Sequence, residues 1–66
     1  MIETVHLAEK WGGTYSVVAN VNYSEGYTVL SLLRNGESVK SKRTHTTDMQ
    51  KLNTEATSWI DGLQVL

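Results

Sequence analysis

A chain of 66 residues with six Lys and Arg against seven Asp and Glu has a formal net charge of −1, without the cationic excess that marks a general nucleic-acid binder. It contains no cysteine, which excludes disulfides and thiolate metal ligands and fits a cytoplasmic setting. A domain of this size buries only about 60% of the surface its unfolded chain exposes, so residues 1–66, read as one domain, must rely on close packing or on association.

No run of about 18 apolar residues occurs, so no membrane-spanning helix is expected. The opening "MIETVHLAEK" has neither the cationic start nor the apolar stretch of a secretory signal.

The first strand is expected over residues 2–8, "IETVHLA", leading through "EKWGG" into residues 14–22, "TYSVVANVN". There Tyr15, Val17, Ala19 and Val21 alternate with Ser16, Val18, Asn20 and Asn22, the period of a half-buried strand. "YSEG" reads as a turn, and "YTVLSLLR", residues 27–34, as the next strand. Asn35-Gly36 is the sharpest local signal, because both residue types tolerate the positive φ of a type I′ hairpin. "ESVKSKRTH", residues 37–45, is the returning strand.

These turns set a register. A loop centred on Ser24-Glu25 pairs Val21 with Thr28, Ala19 with Leu30 and Val17 with Leu32. A two-residue loop at Asn35-Gly36 pairs Arg34 with Glu37, Leu32 with Val39 and Leu30 with Ser41. Both hairpins then collect Tyr15, Val17, Ala19, Val21, Leu30, Leu32 and Val39 on one face. A slip of one residue would exchange the faces. The other face gathers Ser16, Val18, Asn20, Asn22, Tyr27, Val29, Ser31, Leu33, Ser38, Lys40 and Lys42.

The chain ends in a helix expected over residues 48–61. Thr47 as N-cap and Gln50 three residues on form a capping box, with Asp48 favoured by the dipole in the first turn. Met49, Leu52, Ala56, Trp59, Ile60 and Leu63 make one apolar stripe. Trp59 is its expected anchor, and Gly62 its stop in the left-handed conformation. The expected architecture is α+β: a three- to four-stranded antiparallel meander with one C-terminal helix packed on one face.

No residue set points to catalysis. His6 and His45 are far apart with no convergent ligands, no serine sits in a nucleophile elbow, and no glycine-rich phosphate loop is present. A non-enzyme without metal or cofactor is the expectation. Lys40, Lys42 and Arg43 lie within four positions. They read either as lysines that deter sheet-to-sheet pairing or as a strand that touches nucleic acid. Three charges supply modest and salt-sensitive phosphate affinity, so the protective role leads. Trp11, Tyr23 and Tyr27 fall at bends or on the outer face, where such rings serve as turn packing or as interface anchors.

The segments "NGESV", "TTDMQKL" and "SWIDGL", spanning residues 35–63, resemble the hairpin, strand and helix of a small phage anti-CRISPR protein that inhibits type I-F surveillance complexes. The resemblance implies a phage-encoded inhibitor in the host cytoplasm that blocks a nucleoprotein complex by protein contact. The expected contact surface is Asn20, Asn22, Tyr27, Lys40, Lys42 and Arg43 on the sheet, with Trp11 and Tyr23 from loops. A homodimer through the same face would also cover Val18, Val29 and Leu33. The alternative is a sheet-based nucleic-acid-binding module centred on Lys40, Lys42 and Arg43.

Overall fold

A computed structural model describes residues 2–63. Four strands, β1 (Ile2–Lys10), β2 (Tyr15–Asn22), β3 (Tyr27–Arg34) and β4 (Glu37–Thr44), pair antiparallel in chain order, and a helix, α1 (Met49–Asp61), follows. The β2–β3 pairing is Val17 with Leu32, Ala19 with Leu30 and Val21 with Thr28, as the alternation predicts. These inward residues are buried and meet Leu52, Ala56 and Ile60 of α1. Stacking an alternating strand face on a helix stripe with matching i, i+4 spacing gives one core in a two-layer arrangement. The helix lies closest to β1 and then β2, not over the middle of the sheet.

The two turns that flank β3, at its opposite ends, follow their local chemistry. Asn35 and Gly36 take φ of 52° and 82°, the left-handed pair that a two-residue hairpin demands. In the β2–β3 turn, Asn22 Oδ1 accepts a hydrogen bond from the Glu25 amide at 3.1 Å. The β1–β2 turn is less ordinary. Trp11, Gly12 and Gly13 all have positive φ, with Trp11 at 54°, a conformation costly for a bulky side chain. The backbone oxygen of Trp11 is held there by the Thr14 amide and the Thr14 hydroxyl, at 3.2 and 2.9 Å.

The β4 register differs from expectation. Arg34 pairs with Glu37 and Leu33 with Ser38, but Leu32 then pairs with Lys40 and Leu30 with Lys42. Val39 is an extra residue, a β-bulge that resets the facing of every residue after it. Val39 consequently leaves the core and is 54% exposed. Lys40 and Lys42 move from the expected outer face to the helix side, and Arg43 takes the outer face. A second bulge, between His6 and Ala8, brings Leu7 and Ala8 against the core.

The helix ends also correct the sequence reading. The N-cap is Asp48, not Thr47: Asp48 Oδ1 accepts from the Gln50 amide at 3.0 Å, and the Thr46 hydroxyl accepts from the Asp48 amide at 3.1 Å. Three residues after Asp48 stands Lys51, which cannot complete a capping box. Gly62 is right-handed, with φ of −77°. The α1 C-terminus is met from outside the helix. Lys10 Nζ donates to the backbone oxygens of Leu63, Ile60 and Asp61 at 3.1, 3.3 and 3.5 Å, placing a cation where the helix dipole is negative. Trp59 is only half-buried; the fully covered stripe is Leu52, Ala56 and Ile60.

Candidate interaction surfaces

The two sheet faces carry different chemistry, and the β4 bulge divides the residues between them. On the outer face, away from α1, Val18, Val29 and Leu33 are half-buried in the middle of β2 and β3. Small polar residues, Ser16, Ser31 and Asn20, stand among them. Asn20 Oδ1 accepts from the Thr4 hydroxyl at 2.8 Å, which ties β1 to this face. The carbon of the Arg43 guanidinium lies 4.3 Å from the centroid of the Tyr27 ring, a cation–π contact that spreads a flat, weakly hydrated surface across β3 and β4. Asn20, Asn22 and Tyr27 thus share this face with Arg43, which reaches it only through the bulge.

Lys40 and Lys42 do not share it. Lys42 Nζ sits 3.2 Å from Glu55 Oε1 and 4.8 Å from the centroid of the Trp59 ring. This cluster bridges β4 to α1 across the inner face. Between them runs an open groove of about 660 Å³, walled by Lys42, Lys51, Thr54, Glu55, Ser58 and Trp59. Lys40 is exposed on the same side.

Trp11 and Tyr23 belong to neither cluster. Trp11 lies in the turn before β2 and Tyr23 just past its other end, and the eight residues of that strand alone span about 26 Å. Trp11 is 43% exposed, stands edge-on to Tyr15 with centroids 5.3 Å apart, and has Lys10 Nζ 4.8 Å from its ring centroid. The Tyr23 hydroxyl donates to Glu3 Oε1 at 2.8 Å. That hydrogen bond to a carboxylate, first, and the proximity of its charge raise the Tyr23 pKa above its usual 10.0. His6 is 3.9 Å from Glu9 on β1, whereas His45 follows β4 at the opposite edge of the sheet.

Sequence reasoning missed the Lys42–Glu55–Trp59 cluster and the Lys10 seat on the helix end. Both depend on contacts between elements far apart in the chain. Comparison with protein-family models, with curated proteins and with solved structures returned no match.

Proposed function

We propose that this protein is a non-enzymatic binding protein whose outer sheet face contacts a partner protein. What supports the reading is the character of that face. Val18, Val29 and Leu33 alternate with Ser31, Asn20 and Ser16 across β2 and β3, beside the Tyr27–Arg43 pair. An aromatic–Arg pair beside half-buried aliphatic side chains is a composition enriched at protein interfaces. The resemblance of residues 35–63 would make the partner a host nucleoprotein complex and the outcome inhibition.

The nucleic-acid reading loses its main support once the bulge is taken into account. Its three cations are split between two faces. A patch that gathers phosphates needs its charges on one surface.

Two measurements test the proposal. A purified type I-F surveillance complex should bind target DNA more slowly in the presence of the protein, and Val29→Glu, which puts a charge in the middle of the outer face, should remove the effect with the fold intact by circular dichroism. Direct binding of DNA or RNA at low salt, steep in salt and lost in the Lys40/Lys42/Arg43 triple alanine variant, would overturn it, as would full inhibition by Val29→Glu.

A further inference from the structure

We infer that the open edge of β4, with the groove beside α1, is a second binding site, and that it receives an extended acidic segment of a partner protein as a fifth strand. Among the described residues, β4 pairs with β3 alone. Alternate residues along it therefore turn their N–H and C=O groups outward, with no strand to meet them. Regular pairing resumes after the bulge and runs from Lys40 to Thr44, so five residues form an even template. Strand addition to such an edge draws affinity from main-chain hydrogen bonds and specificity from side chains at alternate positions.

Charge selects the occupant. β4 carries Lys40, Lys42 and Arg43 against Glu37 alone, in a chain whose total is −1. On the helix side Lys51, on the far wall of the groove, joins Lys40 and Lys42 as a third cation. Among the described residues, Lys40, Arg43 and Lys51 have no carboxylate partner. Side chains two apart on a strand share a face and repeat every 6.6–6.8 Å or so. Carboxylates at alternate positions of an added strand would fall opposite Lys40 and Lys42 together, the favourable cross-strand arrangement. Lys42 can hold Glu55 and a second carboxylate at once, since its ammonium has three donors. Trp59, half-buried in the groove wall, offers a ring to the segment's neighbouring side chains.

The same charges disfavour other occupants. A second copy paired antiparallel through β4 and centred on Ser41 would set Lys40 opposite Lys42 twice, and like charges so placed repel. A phosphate backbone would use the lysines alone and leave the main-chain groups of the open edge unmet, which an added strand pairs. The lysines that keep β4 from pairing with itself are thus the ones that admit a carboxylate-bearing strand.

The test is an NMR titration of the ¹⁵N-labelled protein at low ionic strength with a ten-residue peptide of alternating Thr and Glu. The amides of residues 40–44 and the Trp59 indole N–H should shift, while those of Val18 and Asn20 stay in place. Lys40→Glu together with Lys51→Glu, at two exposed positions that hold nothing in the fold, should weaken the response about tenfold. An alternating Thr and Lys peptide should move none of these signals. No shift with the Thr–Glu peptide up to about 1 mM, the weak limit of specific recognition, would overturn the inference. So would an equal response to the Thr–Lys peptide, movement of residues 40–44 with protein concentration alone, or a stronger response of those signals to a single-stranded DNA dodecamer. These results concern the helix side of β4 and leave the outer-face reading to its own test.

Discussion

Lys42 leaves β4 on the helix side, reaches Glu55 at 3.2 Å and covers the Trp59 ring at 4.8 Å. Its ammonium thus meets a carboxylate and a ring from the same helix, linking β4 to α1. The partly exposed pair itself adds little to stability; its main effect is to hold Lys42 on the helix side. At the helix start, Asp48 holds the Gln50 amide, so Asp48→Ala should lower stability by about 1 kcal/mol in urea unfolding, and Thr47→Ala by much less. Equal losses would return the cap to Thr47. Tyr23 makes a pH prediction. Its folded pKa is raised, so the Glu3 hydrogen bond helps the fold while the phenol keeps its proton, below the unfolded value near 10.0, and that help disappears as pH rises through the folded value. Tyr23→Phe should therefore flatten the alkaline fall of the melting temperature above pH 10 or so and leave its shape below pH 8 or so unaltered. A steeper alkaline fall in the variant would contradict this.

At the scale of elements, the bulge at Val39 decides which face each later residue of β4 occupies. Because Val39 is the extra residue, its deletion leaves Leu33 with Ser38 and Leu32 with Lys40 in a continuous ladder. The shortened protein should fold, with cross-strand contacts from Leu30 to Lys42 retained in its NMR spectrum. Loss of the fold, or a Leu30 contact to Ser41 instead, would show that Val39 does more than re-aim the strand. The β2–β3 hairpin was legible from sequence because its two strands alternate strictly and a wrong register would expose a whole apolar set. β4 offers no such constraint. "VKSKRT" holds one apolar residue, so Asn35-Gly36 fixes the first pairs and nothing in the composition marks the slip. The helix stripe was legible for the complementary reason: Leu52, Ala56 and Ile60 repeat at one period. The Asp48 cap was harder to read, since Thr46, Thr47 and Asp48 are all good capping residues and only the geometry of the entering chain chooses among them.

For the whole molecule, one core of Val17, Ala19, Val21, Leu30, Leu32, Leu52, Ala56 and Ile60 holds two layers together. A domain of this size is worth about 3–10 kcal/mol in total. Leu30 is completely covered, and Leu30→Ala should cost about 2–5 kcal/mol, enough to leave much of the protein unfolded at 37 °C by circular dichroism. A variant that melts within a few degrees of the parent would mean that the sheet and helix do not share this core. A single buried face leaves the rest of the sheet for other uses. The outer side offers aliphatic and small polar residues in alternation beside an aromatic–Arg pair, and the helix side offers a cationic edge beside a groove. Arg43 belongs to the first and Lys40 and Lys42 to the second, and that division gives each surface its partner chemistry.

The division rests on where the side chains of β4 point, and the ring current of Trp59 reports it directly. With Lys42 seated over the indole, its side-chain methylene protons should be shifted clearly upfield in the ¹H–¹³C spectrum, while those of Lys40 stay at ordinary values and the Lys42 shifts collapse in Trp59→Leu. Ordinary Lys42 shifts, with a close Hα contact between Leu30 and Ser41, would place the lysines on the outer face and contradict the assignment of both surfaces.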